Sequence, residues 1–351
     1  MTKNDLKIVF MGTPEFAVET LRALVEGGYR VVAVVTQPDK PVGRHGSVLR
    51  APAVKEYALS VGLPVLQPEK MKDADFVEQL RRYNADLQIV VAFRMLPEVV
   101  WAMPRFGTFN VHAALLPQYR GAAPINWAII NGETETGVTT FFLDHDIDTG
   151  KIILQKRFPV PDDADVEYVY DGLMRLGAEI ALETVDSLIE NDGRIKTISQ
   201  EEWQRNNSQL NLAPKLFKET CRIDWNQTAK NIYNFVRGLS PVPAAWTTVV
   251  PTGATTAVKN EPDAVETAAD RASGKSEKSA LPIDLKIYKS QKTGWPCDEK
   301  PGTLLVEKSR LFAATSDEWL EIHELQMAGK KRMPTRDFLN GFKEIHTVVF
   351  M

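Results

Sequence analysis

The chain has 351 residues, of which 44% are hydrophobic and 25% are charged, as in ordinary soluble globular proteins. No apolar run approaches the roughly 20 residues of a bilayer-spanning helix, and the first ten residues lack the long apolar core of a signal peptide. Two cysteines are too few for a disulfide framework or a thiolate metal site. We therefore expect a cytoplasmic protein, and the length predicts two domains.

The net charge of −4 is unevenly distributed along the chain. Residues 1–206 contain 22 lysines and arginines against 29 aspartates and glutamates, a net −7, whereas residues 207–351 contain 20 against 17, a net +3. A basic C-terminal part permits a polyanionic partner. Scattered solvated lysines explain this count better than a specific partner does, so the charge alone assigns no function.

Strands alternate with helices in the first half of the chain. Apolar, β-branched runs predict strands at Leu6–Phe10, Val31–Thr36, Leu87–Ala92, Thr108–Val111, Thr136–Leu143 and Lys151–Arg157. Helical spacing predicts helices at Glu15–Glu26, Ala51–Ser60, Asp73–Tyr83 and Val166–Ile189. Thr13 suits the N-cap of the first helix and Pro14 its first helical position. The alternation predicts an α/β domain, 1–191, with a mostly parallel, doubly wound sheet.

The second half of the chain has a different pattern of polar and apolar residues. The polar segment 192–208 predicts a linker, and residues 209–351 a second domain. The second domain should contain one helix and several short strands, typical of a small all-β barrel or sandwich. These elements are Thr228–Gly238 for the helix, and Trp246–Val250, Ile283–Tyr288, Gly302–Val306, Leu311–Ala314 and Trp319–Leu325 for the strands. Residues 252–280 have few large apolar side chains and predict a flexible insertion.

The turn after the first strand lies where open α/β sheets bind ligands, at a strand's carboxyl end. It contains one glycine, Gly12, so the dinucleotide-binding fingerprint is absent, and no Walker lysine motif occurs. Phe16, just beyond the turn, either packs in the core or lines a pocket.

The densest chemical information lies in residues 110–150. Asn110 and His112 end a predicted strand, and their spacing of two places both on one face. Asp148 follows a later strand, so the three residues belong to adjacent loops. An amide, an imidazole and a carboxylate can together stabilise an oxyanion and transfer a proton. No serine or cysteine nucleophile accompanies them, which favours direct attack by a substrate amine.

A purely structural interpretation of these three residues remains open. Asn110 would then be a turn residue, His112 a hydrogen-bonded core histidine and Asp148 a turn carboxylate. The neighbouring run of Asp144, His145 and Asp146 also suggests a metal site. Calcium loops need a glycine turn and a closing glutamate, and zinc sites need several His or Cys ligands. Because the five histidines are scattered, we expect no metal.

Six segments resemble one known family, in the same order along nearly the whole chain. They are MGTPEFAV at 11–18, TQPDKPVGR at 36–44, NVHAALLPQYRGAAPINWAI at 110–129, ETGVTTFFLDHDIDTGKI at 135–152, RIDW at 222–225 and LQMAGKKRM at 325–333. The chain thus resembles the methionyl-tRNA formyltransferases. The resemblance implies a formyltransferase-fold domain followed by an OB-fold-like tRNA-binding barrel. It implies N10-formyltetrahydrofolate as donor and methionyl initiator tRNA as acceptor, giving formylmethionyl-tRNA for translation initiation.

The same resemblance assigns roles to individual residues. It also implies that the protein needs no metal, no nucleotide cofactor and no obligate protein partner, and that it does not bind a membrane. Asn110, His112 and Asp148 match the family's catalytic trio. Two loops match its folate-contacting segments, one with Phe93, Arg94, Met95 and Leu96 and the other with Ala114, Leu115, Leu116 and Pro117. Ala114 replaces the family's serine, and Arg94 departs from the common Tyr-Gly pair.

Residues that contact the tRNA are implied in the same way. Phe16 matches an aromatic residue near the methionyl group, and Arg44 a basic residue in the loop that meets the acceptor arm. Lys330 and Lys331 belong to the C-terminal match. The loop Lys40–Arg50 is basic and glycine-containing, and we expect it to lie against the acceptor end of the tRNA.

Two other functions remain open at this point. The same catalytic domain serves formyl transfer to glycinamide ribonucleotide or to amino-sugar nucleotides, and a non-catalytic RNA-binding protein could share the fold. The basic second domain favours tRNA, and the intact trio favours an enzyme.

Overall fold

Two structural units make up the chain, Met1–Leu216 and Phe217–Met351. The computed structural model describes residues 1–42, 48–204, 209–252 and 282–351. None of the helices in these ranges is both long and apolar enough to cross a bilayer.

The elements of the first unit alternate between strands and helices, as predicted. Its strands are β1 (Ile8–Gly12), β2 (Val31–Val35), β3 (Lys40–Val42), β4 (Val48–Arg50), β5 (Val65–Leu66), β6 (Leu87–Val91), β7 (Thr108–His112), β8 (Arg120–Gly121), β9 (Glu135–Phe142), β10 (Ile152–Pro159) and β11 (Leu212–Ala213). Its helices are α1 (Glu15–Glu26), α2 (Ala53–Ser60), α3 (Ala74–Arg82), α4 (Glu98–Trp101), α5 (Pro124–Ile130), α6 (Val166–Glu190) and α7 (Gln200–Gln204).

A seven-stranded sheet in the order β10-β9-β7-β6-β1-β2-β5 forms the centre of this unit. Neighbouring strands from β7 to β5 run parallel, whereas β9 and β10 add an antiparallel edge. On one face, Phe10 and Phe109 pack with Leu24 of α1 and Leu173 of α6. On the other face, Met11 and its neighbours pack with residues of α3 and α4. The predicted mostly parallel, doubly wound sheet is confirmed.

The first helix starts one residue later than its sequence signals indicate. Pro14 adopts extended backbone angles and occupies the N-cap, so the first helical residue is Glu15. The side-chain oxygen of Thr13 is buried and has no hydrogen-bond partner among the described residues. Thr13 therefore does not cap the helix, because the proline that follows it is still outside the helical region.

The predicted loop Lys40–Arg50 contains two short paired strands. β3 and β4 run antiparallel, with Lys40 opposite Arg50 and Val42 opposite Val48. Residues 43–47, including Arg44, lie outside the described residues.

The segment predicted as a linker, 192–208, belongs to the first unit in its described part. Ile198 and Ile152 exchange two backbone hydrogen bonds of 2.9 Å, and α7 follows immediately. Further on, β11 pairs in parallel with β8. The first unit therefore ends at Leu216, later than the predicted end of the first domain at 191 and the predicted start of the second at 209. Hydrogen bonds and the packing of Ile195 against the core hold this segment, although most of its other residues are polar, as in a linker.

The second unit is a curved antiparallel sheet with flanking helices. Its strands are β12 (Ala245–Pro251), β13 (Ile283–Pro296), β14 (Leu304–Glu307), β15 (Arg310–Ala314), β16 (Glu318–Met327), β17 (Met333–Pro334) and β18 (Val348–Phe350), and its helices are α8 (Ala229–Leu239) and α9 (Thr335–Gly341). The strand order is β14-β15-β16-β13-β12-β18, and β17 pairs with β16.

A hydrogen bond closes this sheet towards a barrel. The backbone amide of Phe350, in the last strand, donates to the carbonyl of Gly302, just before β14, over 2.9 Å. The predicted small barrel is confirmed, with α8 packed against β13. The predicted insertion 252–280 lies outside the described residues from Gly253 onward.

Candidate active site

Strand β7 brings two of the predicted catalytic residues to one face of the sheet. Phe109 and Val111 point into the core on the α6 side. Because side chains alternate along a strand, Asn110 and His112 project from the opposite face. His112 ends the strand with only 6% of its side chain exposed. Both residues therefore lie at the carboxyl end of the sheet, where α/β proteins bind ligands.

The hydrogen bonds of His112 determine which ring nitrogen can exchange a proton. Its Nε2 lies 2.8 Å from the carbonyl oxygen of Tyr119. A carbonyl only accepts, so Nε2 carries the hydrogen. Nδ1 lies 3.9 Å from Oδ2 of Asp148, beyond hydrogen-bond distance. Nδ1 therefore faces the carboxylate and remains available to a reacting group.

Asp148 is held from outside its own loop. It lies between β9 and β10 with a φ of 56°, in the left-handed region that non-glycine residues rarely adopt. Its Oδ2 accepts a 2.9 Å hydrogen bond from the amide of Gly121. A Cβ atom at Gly150 would lie 1.7 Å from the carbonyl oxygen of Phe142. The end of this loop can therefore approach the end of β9 only with glycine at position 150. The carboxylate thus has a fixed direction towards His112.

The third member of the trio has unused hydrogen-bonding capacity. Oδ1 of Asn110 is buried and has no hydrogen-bond partner among the described residues. Buried polar atoms are nearly always paired, and an unpaired one at a strand end requires an explanation. A substrate hydrogen-bond donor bound beside Asn110 would pair Oδ1, whereas a substrate oxygen would be met by the NH2 group of the same side chain. The structure therefore brings Asn110, His112 and Asp148 together, as the sequence predicts.

Gln200, in α7, is a buried residue of this site that the sequence analysis does not identify. It is 1% exposed. Its Nε2 donates to the carbonyl oxygens of Asp148 and Gly150, each over 2.8 Å. Its Oε1 accepts from Nε and Nη2 of Arg120, over 2.9 and 2.6 Å. No sequence signal distinguishes this glutamine from the polar residues around it.

The predicted folate loop after β6 is joined to the loop after β5 by Arg94. Its Nη1 donates to the carbonyl oxygen of Glu69 over 2.7 Å, and its Nη2 donates to that of Pro68. Burial lowers the pKa of Arg94 from its ordinary value. Leu96 packs in the core and Met95 is 75% exposed. The arginine that departs from the family pattern therefore fixes two neighbouring loops to each other.

The second predicted folate loop, 114–117, is ordered by side chains of β9 and β10. Thr139 accepts from the amide of Leu116 over 3.1 Å and donates to the carbonyl of Ala114 over 2.6 Å. The Leu116–Pro117 peptide bond is cis. Ala114 is fully buried in a small cluster with Tyr119, Ala128 and Ala213. The methyl group of Ala114 therefore lies in an apolar environment, and polar contacts of this loop come from its backbone.

The predicted tRNA-contacting residues are distributed over both units. Phe16 is 5% exposed in the core, and its ring contacts that of Tyr170 edge-on at 5.1 Å. Lys330 and Lys331 are exposed in the segment between β16 and β17 of the second unit. The role of these three residues stays a prediction.

The acidic run that suggested a metal site is spread over the surface. Asp144, His145 and Asp146 are exposed, and His145 stacks edge-on against Trp101. Within the described ranges, no three His, Cys, Asp or Glu side chains are grouped so that they could hold a metal ion.

Comparison with known proteins agrees with this fold and shows the family of the chain. Residues 6–185 match the family model described as formyl transferase, and residues 215–343 match that of the formyl transferase C-terminal domain. A methionyl-tRNA formyltransferase of Parabacteroides distasonis is 58% identical over 98% of each chain. One of Bacteroides fragilis is 53% identical over 97% of each. The chain belongs to the methionyl-tRNA formyltransferase family.

The fold also recurs in a distant solved structure. An N-formyltransferase from Helicobacter canadensis, in complex with folinic acid and dTDP-3-aminofucose, has a TM-score of 0.57 at 18% identity. The match covers 93% of this chain and all of the other. At this identity the likeness concerns the fold alone.

Replacing Gln200 by glutamate tests its position in the site. The carboxylate keeps a partner in Arg120 but cannot donate to the carbonyl oxygens of Asp148 and Gly150. We expect kcat for formyl transfer to fall about 10-fold or more, because displaced catalytic groups lose much of their effect. KM values should change little. The exposed Gln79→Glu, which adds the same charge on α3, is the control. Equal kcat in the two variants would contradict the assignment.

Proposed function

We propose that this protein transfers the formyl group of N10-formyltetrahydrofolate to the α-amino group of methionyl initiator tRNA. The observation that carries the proposal is the convergence of Asn110, His112 and Asp148 at the carboxyl end of the sheet, with Nδ1 of His112 facing Asp148 at 3.9 Å. Relatives of 53–58% identity bear the corresponding name over nearly the full length.

The reaction follows from the chemistry of the three side chains. The neutral amine attacks the formyl carbon, a C–N bond forms, and the carbonyl oxygen becomes an oxyanion. The amide of Asn110 and the Nδ1–H of a protonated His112 stabilise this oxyanion. Asp148 accepts the proton that the attacking nitrogen loses, directly or through a water molecule. The oxyanion then re-forms the carbonyl as the bond to N10 breaks, and N10 takes up the proton that Asp148 accepted and leaves as tetrahydrofolate.

The tautomer of His112 fits this scheme. Its Nε2–H is committed to the carbonyl of Tyr119 at 2.8 Å, so proton exchange can occur only at Nδ1. Nδ1 is also the nitrogen nearer to Asp148. One nitrogen therefore orients the ring while the other meets the reacting atoms.

The two loops that lie beside the trio are the proposed walls of the folate site. The loop 93–97 follows β6, which pairs directly with β7, and the loop 114–117 follows β7 itself. Both therefore start from the strand ends next to Asn110 and His112. We propose that Phe93, Met95 and Leu96 contact the pterin side and that 114–117 contributes backbone groups.

We propose that the second unit binds the tRNA. It presents basic side chains beside aromatic rings, the combination that contacts phosphates and stacks on bases. Lys218 and Arg222 both lie over the ring of Trp246, at 5.3 and 5.6 Å. Arg332 lies over the ring of Tyr288 at 4.4 Å, next to Lys330 and Lys331 in the chain. Arg44 in the first unit is the proposed contact to the acceptor end.

Substitution of the trio tests the mechanism. Asp148→Asn and His112→Ala should each lower kcat roughly 10²–10⁴-fold, as expected for a lost acid–base or oxyanion group. Transfer of labelled formyl from the folate to charged initiator tRNA is measured. The control is Asp146→Asn, which alters an exposed aspartate in the same loop. A folded Asp148→Asn variant with the turnover of the control would remove Asp148 from the mechanism.

The folate loop is tested through Arg94. Arg94→Ala removes both hydrogen bonds to the loop after β5, and charge-assisted bonds of this kind contribute about 1.5–3 kcal/mol. We expect KM for the folate to rise about 10-fold while kcat changes less than about threefold, because the trio is untouched. Arg105→Ala, which removes an arginine paired with Asp86 and 61% exposed, is the control. An unchanged folate KM would separate this loop from folate binding.

Salt dependence tests the tRNA contacts. Arg44→Ala, and Lys330→Ala with Lys331→Ala, should weaken tRNA binding and leave folate binding unchanged. The slope of log affinity against log salt should fall by about one unit or less for each lost phosphate contact. Lys300→Ala removes the same charge from an exposed position between β13 and β14. Slopes equal to that of the unsubstituted protein would exclude these three residues from phosphate contact.

A further inference from the structure

A short chain segment runs beside the loop that orients the trio. We call residues 209–214 the strap. Its strand β11 is the pairing partner of β8, with Leu212 opposite Arg120 and Ala213 opposite Gly121. The amide of Tyr119 donates to the carbonyl of Asn211 over 2.6 Å. The carbonyl of Ala213 accepts from the amides of Ala122 and Ala123 over 2.7 and 3.2 Å.

Side chains fasten the strap at both ends of this pairing. The amide group of Gln118 donates to the carbonyl of Gln209 over 3.0 Å and accepts from the amide of Asn211 over 2.8 Å. Beyond β11, Nε1 of Trp127 donates to the carbonyl of Pro214 over 2.8 Å. The strap is therefore held along its whole length by residues 118–127.

The loop beneath the strap supplies the hydrogen bonds that orient two catalytic side chains. The carbonyl of Tyr119 accepts from Nε2 of His112, and the amide of Gly121 donates to Asp148. These two backbone groups are only two residues apart. Any rotation of this short stretch would therefore move the partners of His112 and Asp148 together.

Little apolar packing fixes this loop. Its cluster contains Ala114, Tyr119, Ala128 and Ala213, three of which are alanines. At Gly121 the strap approaches so closely that a Cβ atom would lie 2.4 Å from the carbonyl oxygen of Ala213. Hydrogen bonds to the strap therefore restrain the backbone on both sides of this stretch, at Tyr119 and at Ala122. Side-chain hydrogen bonds from Tyr119 to Glu133 and from Arg120 to Gln200 act beside them.

We propose that the strap is a positioning element of the active site: by pairing with β8, it holds the carbonyl of Tyr119 and the amide of Gly121 where they orient His112 and Asp148. The proposal rests on the proposed function, because it takes these two residues to be catalytic. It assigns a role in the reaction to a segment that the sequence analysis places at the start of the second domain and that the structure places near the end of the first unit.

The test loosens the strap without changing the trio or β8. In the full-length protein, the double variant Gln118→Ala, Trp127→Phe removes three hydrogen bonds to strap backbone groups and keeps an aromatic ring at 127. Amide hydrogen exchange reports on the loop, and steady-state formylation of charged initiator tRNA reports on the reaction. We expect the amides of Tyr119 and Ala122 to exchange at least about 10-fold faster. We expect kcat to fall about 10-fold or more, with both KM values within about twofold.

A matched control and a milder variant complete the design. Asn191→Ala removes a hydrogen bond from a side-chain amide to the carbonyl oxygen of Ser187, in the last turn of α6. Its length, 2.8 Å, equals that of the hydrogen bond from Trp127 to Pro214. It should change neither the exchange of the loop nor kcat. Trp127→Phe alone should also speed amide exchange and lower kcat, but by less than the double variant. It replaces the double variant in the test if that variant does not fold. Exchange of the Val9 and Ile89 amides, in the central sheet, should stay slow in every variant.

Each outcome supports or overturns the proposal. Faster exchange of Tyr119 and Ala122 with a proportionate loss of kcat supports it. Faster exchange with full kcat overturns it, as does a loss of kcat without any change in exchange at these amides. No change in either quantity overturns it as well. An unsubstituted protein without formyl transfer would instead contradict the proposed function, while the exchange data would still report whether the strap holds the loop.

Discussion

The hydrogen bond from the amide of Gly121 to the carboxylate of Asp148 joins the two loops on which the candidate site depends. Asp148 has a φ of 56°, a conformation that costs a non-glycine residue about 1–2 kcal/mol. Such a residue stays in place only where its surroundings determine it. Here the restraints come from Gly121 at the carboxylate and from Gln200 at the carbonyl. The geometry of the aspartate is thus imposed by residues far from it in sequence.

The sheet explains why the site forms at this edge. From β1 the chain first adds β2 and β5 on one side and then β6 and β7 on the other. The loops after β1 and β6 consequently diverge, and this leaves a crevice at the carboxyl ends of the strands. Asn110 and His112 end β7, one strand beyond this point. Because β9 runs antiparallel to β7, its last residue, Phe142, lies beside Phe109 at the start of β7. The loop that follows β9 therefore has to reach back towards the end of β7, where Oδ2 of Asp148 lies 3.9 Å from Nδ1 of His112.

Elements with strong hydrophobic patterns could be predicted from the sequence within about two residues. The amphipathic helix Glu15–Glu26 and the apolar run of β6 are examples. Spacing along β7 and a carboxylate after a strand indicate that Asn110, His112 and Asp148 could act together, but these local signals leave a structural interpretation open, and only the family resemblance assigns the three as catalytic. β8 and β11 could not be predicted: each has two residues, and their pairing joins positions about 90 residues apart. Likewise, nothing in the sequence shows that Arg94 donates to the carbonyls of Pro68 and Glu69.

The site residues on strand β7 and those on the loops are held in place by different forces. Asn110 and His112 lie on a strand whose inward side chains are fully or almost fully buried, and each such side chain contributes about 1.5–3 kcal/mol. Asp148 and the carbonyl partner of His112 lie on loops, where net hydrogen bonds of about 0.5–1.5 kcal/mol are the main restraint. Reacting groups must be placed within about 1 Å, so several such bonds have to act together. A segment rich in polar residues can supply these hydrogen bonds. The composition that predicts a linker for residues 192–208 is therefore compatible with Gln200 completing the site, because donors and acceptors are needed there and apolar side chains are not.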